Sequence, residues 1–462
     1  MRTLITNGHI VTATDDYMGD MLIDGEKIAA ISTPGAFASQ QLDTTLDAQG
    51  KYIFPGAIDV HTHMELPLPT TVASDDFETG TIAAACGGTT TILDFANQRR
   101  GHTLAEALHS WHAKAEGKAV IDYGFHITIT DFAAAPEAAM DEMIAAGVTT
   151  FKLLMAYPGT FMVDDDTMYR VLRRSAKLGG LVMVHAENGI VIDLIVREAV
   201  AAGHTAPGFH ALTRPAVLEG EATHRAIILA TLAEAPLYVV HVSCQHSLHA
   251  VAAARAKGLP VWGETCPQYL YLNDSHYAAP GFEAAKFVCT PPMRSLADNE
   301  ALWLGLQRHE LQVVSTDHAP FNFAGQKELG LHDFSKIPNG LPGVEHRVML
   351  MYDGVRTGKL DLHHFVDLVA TKPAKLFGLF PRKGTIAPGS DADLVIFDPE
   401  KSMTISVANQ HQRVDYTPYE GMHIQGVPDT VLLRGQVIVR NGEYVGGKGG
   451  GQYLHRKTFS EE

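Results

Sequence analysis

Phe54-Pro55-Gly56-Ala57-Ile58-Asp59-Val60-His61-Thr62-His63 is the stretch whose reading decides the fold. A short apolar run ends in two histidines one residue apart, and on a β-strand residues i and i+2 point to the same side. His61 and His63 can therefore present both imidazoles to one metal ion, which adjacent histidines could not. As the first strand of a barrel, the run would place the pair at its C-terminal end, where barrel active sites are built. His-x-His also arises by chance in a chain with 24 histidines. The pair gains weight because four later strand-like runs end in further candidate ligands: Lys152, His185, His241 and Asp317.

Working outward, residues 54–375 alternate apolar strand-like runs with Ala-rich helical stretches. The runs are Thr89–Phe95, Tyr123–Thr128, Thr149–Leu154, Leu181–His185, Leu237–Val242, Pro260–Thr265 and Leu311–Asp317, eight with the first. Amphipathic segments such as Met168–Leu178 and Ala222–Ala233 lie between them. Near-continuous apolar strands separated by helices predict a parallel (β/α)8 TIM-like barrel. The rival, a doubly wound open sheet, lacks the Gly-x-Gly-x-x-Gly turn after the first strand.

Both ends have a different texture. Thr3–Ile5, His9–Thr12, Asp20–Ile23 and Lys27–Ile31 read as short strands with turns, and Ala392–Phe397 and Thr430–Gly442 repeat the pattern. This predicts one small β-sandwich domain assembled from residues 1–53 and 376–442. From Glu443 a glycine-rich run and a polar tail follow to residue 462, either a frayed end or an oligomerisation arm packing on a neighbouring subunit.

The 462 residues suffice for two or three folding units, and 46% hydrophobic with 19% charged residues describe a globular chain. The net charge of −16 is spread without a basic run, which argues against nucleic acid and anionic membranes as partners. Cys86, Cys244, Cys266 and Cys289 form no Cys-x-x-Cys pair. No apolar stretch reaches the ~18 residues that span a bilayer, and the N-terminus lacks a signal-type region. The expectation is a cytoplasmic protein with reduced thiols.

Singly, each strand-end residue has a plain explanation: His185 and His241 as satisfied core histidines, Asp317 as a helix cap. Jointly they mark the ends of five separate strands. Lys152 inside an apolar run needs an anion, a depressed pKa or a modification. Four histidines and an aspartate suit two borderline cations such as zinc. Two cations held close repel and need a bridging anion, which a lysine becomes when its amine takes up CO₂ as a carbamate.

These residues, in order and context, resemble the cyclic amidohydrolases, and within them the dihydropyrimidinase/hydantoinase group. The likeness includes Phe54-Pro55-Gly56, Glu78-Thr79-Gly80-Thr81, Gly87-Gly88-Thr89-Thr90-Thr91, His185-Ala186-Glu187-Asn188, His241-Val242-Ser243, Ser315-Thr316-Asp317-His318-Ala319-Pro320-Phe321 and Gly389-Ser390-Asp391-Ala392-Asp393-Leu394. The resemblance implies two Zn²⁺ per subunit: His61 and His63 on one, His185 and His241 on the other, N6-carboxylated Lys152 bridging, Asp317 on the first. It implies hydrolysis of 5,6-dihydropyrimidines (dihydrouracil, dihydrothymine) or 5-substituted hydantoins, as in pyrimidine catabolism, and a homotetramer.

Met155-Ala156-Tyr157 carries the group's tyrosine, Thr290-Pro291-Pro292-Met293-Arg294 matches a Ser-Pro-Pro-Leu-Arg segment, and Ile337-Pro338-Asn339-Gly340 matches a third. By this resemblance Tyr157, Thr290 and Asn339 contact the substrate ring, the last two largely through backbone atoms. Tyr157 and Asp317 would be catalytic. Met64, Leu66, Leu68, Met155 and Phe161 are expected to make the pocket for the ring substituent apolar. Ala319 stands where the group often has cysteine. Allantoinase shares the ligands and a stretch like Glu264–Leu270, but Tyr157 and the Pro-Asn-Gly segment argue against it. A non-catalytic tetrameric scaffold relative would have lost ligands, and here all six positions are intact.

Overall fold

The computed structural model describes residues 1–37, 39–134 and 137–459. Eight strands form one sheet in sequence order: Ala57–Thr62, Thr89–Asn97, Asp122–Thr128, Thr150–Leu154, Leu181–His185, Leu237–Val239, Val261–Thr265 and Val313–Val314. Every ladder between them is parallel. The ring closes just past the eighth strand. Thr62 and His318 form a parallel bridge, and the His63 N–H donates to the His318 carbonyl at 2.9 Å. The chain thus forms the TIM-like barrel that the alternation of runs predicts.

Two strands end earlier than their apolar runs predict, at Val239 and Val314. His241 (φ 40°) and Asp317 (φ 53°) lie just beyond them in the left-handed region, which takes the chain off the ladder. Helices cover the outside. The one over Asp165–Leu178 starts with Asp164 accepting from the Thr167 N–H and ends at Gly179 in the left-handed conformation (φ 66°). Its buried residues Met168, Val171, Leu172 and Ser175 recur at helical spacing and face the strands. Among the described residues no helix is long and apolar enough to cross a membrane.

A second, nine-stranded sheet takes its strands from residues 2–55 and 394–444. Tyr52–Pro55 joins its halves, running parallel to Arg2–Val11 and antiparallel to Leu394–Thr404. The run expected over Thr430–Gly442 is split by a hairpin turn at Arg434-Gly435 (φ 45° and 76°) into His423–Leu433 and Gln436–Arg440. Ile5, Ile10, Met21, Ile23, Ile53, Leu394, Ile396 and Leu432 form this sheet's own core. Gly56 makes the step from sheet to barrel. A Cβ there would lie 2.1 Å from Thr90 Oγ1, so the crossing passes too close to the second strand for any side chain.

At the N-terminal end of the barrel strands the two sheets are joined by buried charge. Lys383 Nζ lies 2.6 Å from Asp122 on the third barrel strand, 2.6 Å from Asp393 and 3.0 Å from Asp391. Arg434 also pairs with Asp122. The segment after residue 443 is expected either to fray or to reach a neighbouring subunit; it first continues the nine-stranded sheet at Tyr444, and from residue 451 to 459 it lies on this chain's own barrel. Tyr123 N–H donates to Gln452, Leu454 N–H to Tyr123 at 2.8 Å, and Phe459 N–H to Gly179. Leu454 is fully buried, and Arg456 donates to the Phe125 carbonyl and to Thr150 Oγ1. Residues 460–462 lie outside the described residues.

Candidate active site

The opposite, C-terminal end of the strands gathers the candidate ligands. His61 and His63 leave the first strand side by side, ring centroids 5.2 Å apart. Asp317 Oδ1 lies 3.2 Å from His61 Nε2 and 3.0 Å from His63 Nε2. Donor atoms of these three residues all fall within 4.8 Å of one another. His185 ends the fifth strand and packs edge-on against His241, centroids 4.6 Å apart, while His241 lies 5.5 Å from His61. Phe95 forms a shelf beneath them, 4.7 Å from His61 and 5.0 Å from His63. The Lys152 ammonium is 5.1 Å from the same ring.

Charges set the protonation of this group. His61 and His63 hold the Asp317 carboxyl well below the usual range although burial works the other way. Burial, helped by His185 and Lys152, pushes His241 far down, so its imidazole is neutral and keeps a lone pair. Burial also presses the Lys152 ammonium down to about 7, against the pull of Glu264 and Asp317. Among the described residues no hydrogen bond or ion pair engages that ammonium. His63 Nδ1 and His241 Nδ1 are likewise buried without a partner. His185 Nε2 is 2.8 Å from Glu187, and that pairing keeps the Glu187 carboxyl ionised against its burial.

Glu264, at the end of the seventh strand, went unread as a site residue in the sequence. Fully buried, it pairs with His61 Nδ1 and accepts from the His241 N–H at 3.2 Å and the Tyr238 hydroxyl at 2.9 Å. Holding His61 Nδ1 turns Nε2 toward Asp317, the way carboxylates orient ligating histidines. The signal was available, since an acidic residue closing Val261-Trp262-Gly263-Glu264-Thr265 needs a partner as much as Lys152 does.

Tyr157 follows the fourth strand in the left-handed region (φ 66°), like His241 and Asp317. Three non-glycine site residues in that sparsely populated conformation mark strain held by the surrounding structure. The Tyr157 ring lies 5.7 Å from His185 and 6.3 Å from Phe161. Burial, then the nearby Glu187 carboxylate, push its phenol up to about 12, so it stays a donor, while Thr290 and Asn339 act on it as hydrogen-bonding neighbours. The structure therefore brings Tyr157, Thr290 and Asn339 together.

The expected wall of the substituent pocket divides. Leu66 and Leu68, on the loop after the first strand, pack with Ala73 and with Ala319 and Phe321 from the loop after the eighth, and Phe161 is beside Tyr157. Met64 and Met155 turn the other way. Met64 is fully buried, its N–H bound to Asp94 and its sulfur against Gly80, and Met155 belongs to the main core. At both positions the side chain is packed into protein.

The unpartnered Nδ1 atoms of His63 and His241 and the clustered donor atoms of His61, His63 and the ionised Asp317 make a set that fits divalent cations, with a buried lysine that has no ion pair beside it. Comparison with known proteins agrees with this chemistry. Residues 52–438 match the model of the amidohydrolase family. The D-hydantoinase of Streptomyces coelicolor is 51% identical over 99% of this chain and 98% of its own length. That of Geobacillus stearothermophilus is 52% identical over 99% and 97%. The crystal structure of dihydropyrimidinase from Brevibacillus agri superposes with a TM-score of 0.97 at 50% identity, covering 100% of both chains. L-hydantoinase (dihydropyrimidinase) from Arthrobacter aurescens does so with 0.87 at 30% identity, covering 98% and 99%. By fold, by donor set and by likeness over its full length, this chain belongs to the amidohydrolase family, in its D-hydantoinase/dihydropyrimidinase group.

Proposed function

We propose that the protein hydrolyses the cyclic amide bond of 5-substituted hydantoins and 5,6-dihydropyrimidines to N-carbamoyl amino acids. Two zinc ions would serve the reaction, with His61, His63, His185, His241, Asp317 and carboxylated Lys152 as the residues that would hold them. The observation that carries this reading is Lys152: a buried amine with no hydrogen bond or ion pair among the described residues, beside four histidines and a carboxylate. An amine held near neutrality is the form that adds CO₂, and the resulting carbamate is the anion that two cations need.

When bound, the metal pair supplies a water acidic enough to act as a nucleophile at neutral pH. Asp317, kept ionised by its histidine neighbours, takes the proton and carries it to the leaving ring nitrogen. The Tyr157 hydroxyl, held protonated, donates to the carbonyl oxygen as charge develops there. Thr290 and Asn339 hold the ring beside Tyr157, and Leu66, Leu68 and Phe161 meet its substituent. The protein assembles as a homotetramer and works in the cytoplasm, where its four free, buried cysteines stay thiols. Analytical ultracentrifugation and cell fractionation test those two points.

The deciding experiment measures kcat/KM on dihydrouracil, 5-substituted hydantoins and allantoin, on protein whose zinc content is known. Turnover of a hydantoin or dihydrouracil with about two metals per chain supports the reading. Turnover of allantoin alone sinks the substrate assignment while leaving the metal site.

A further inference from the structure

Lys327 takes no part in the machinery described so far, yet its side chain is fully buried. Among the described residues no carboxylate faces it. Its ammonium donates to three backbone carbonyls: Val288 at 2.8 Å, Pro338 at 2.7 Å and Gly340 at 2.8 Å. Those carbonyls belong to two loops distant in sequence. Pro338 and Gly340 bracket Asn339, and Val288 lies two residues before Thr290. The Gly340 N–H donates to the Val288 carbonyl at 3.1 Å and joins the two loops directly, while His210 Nε2, 2.7 Å from the Cys289 carbonyl, holds the first loop from its other side.

The backbone here tolerates little displacement. Gly340 has φ 143°, and a Cβ on it would sit 2.4 Å from the Ala319 carbonyl oxygen. A peptide unit is planar and trans, so a carbonyl pinned to Lys327 turns the next N–H the other way. Pinning Pro338 directs the Asn339 N–H away from Lys327, and the Gly340 N–H, donated to Val288, holds the peptide on the other side of Asn339. Burying an ammonium is costly, and burial presses this one down to about 7. An apolar residue would fill the space at less cost but would leave the Pro338 and Gly340 carbonyls without a donor and the loops tied only by the Gly340 N–H on Val288.

Resting on the reading of Thr290 and Asn339 as ring contacts, we propose that Lys327 is a positioning residue for substrate. Its ammonium clamps the 288–290 and 338–340 loops, fixing the spacing of the groups that receive the ring. Contacts made alike in the bound and transition states govern KM more than kcat.

The test compares wild type with Lys327→Met, both loaded with zinc. It follows metal content, steady-state kinetics on a 5-substituted hydantoin, and calorimetric binding of the N-carbamoyl amino acid product. Expected is unchanged metal content, KM and product Kd raised roughly tenfold to a hundredfold, and kcat within about threefold. Unchanged KM and Kd in a folded variant would overturn the proposal, as would a fall in metal content and kcat at constant KM. If Lys327→Met does not fold, Lys327→Gln keeps one amide donor and should raise KM and Kd by a smaller factor; no rise there also overturns it. If wild type turns over no ring, the functional reading fails first, and the two product affinities still decide for or against the clamp.

Discussion

The barrel buries a lysine at each end, Lys383 at 2% and Lys152 at 4% exposure, and the two live in opposite electrostatic worlds. Lys383 sits among Asp122, Asp391 and Asp393, and their carboxylates outweigh burial and raise its ammonium above its ordinary range. Lys152 lies as deep with no bonded partner, and burial drags it down to about 7. Equal depth therefore says nothing about role. A buried charge whose partners are present joins elements of the fold; one without them is a candidate for chemistry. Lys327 is a third kind, satisfied by carbonyls alone and placed between two functional loops.

The sharpest way to break this comparison is Lys152→Ala. We expect turnover to fall about a thousandfold or more together with bound metal, while the variant should melt no lower than metal-free wild type, because an unpaired buried charge is gone. A variant that kept two metals and normal rate would end the bridging role. Lys383→Met should do the reverse. It leaves three carboxylates facing one another, and denaturant unfolding should show a loss of about 3–5 kcal/mol with kcat of the folded protein nearly intact. A stable Lys383→Met protein would mean that the network is replaceable packing. Tyr157→Phe should have the smallest effect: a fall in kcat of about a hundredfold, with metal content and melting temperature unchanged. An unaltered rate would remove the phenol from the reaction.

Much of the site was legible because of where strands end. His61, His63, Lys152, His185 and Asp317 each close or follow an apolar run, and the barrel brings such positions to one face. His126 shows the limit of that rule. It lies on the third strand and is an ordinary core histidine, bound to Val60 and Thr150. Glu264 obeyed the same logic and was passed over, since one carboxylate near the end of a strand also reads as a turn.

Lys327 could not be read at all. Gln326-Lys327-Glu328 has the composition of a solvated turn, and only the three-dimensional course of two distant loops shows what surrounds the ammonium. The direction of Met64 was not legible either, since a residue next to a candidate ligand can turn either way and Gly80 leaves room behind it. The course of the tail was not legible, because a glycine-rich run carries no sign of what it will lie against. The strand beneath residues 452–454 belongs to the same chain.

The nine-stranded sheet pairs strands from opposite ends of the sequence, with Tyr52–Pro55 laid between Arg2–Val11 and Leu394–Thr404. That places a kinetic burden on synthesis. The earliest strands leave the ribosome with an open hydrogen-bonding edge that stays unmatched until almost the whole barrel has been made. Growing chains should therefore be most exposed to aggregation before the segment around residues 394–440 emerges. Expression yield would then depend on how quickly that late segment arrives, even when the finished enzyme is stable.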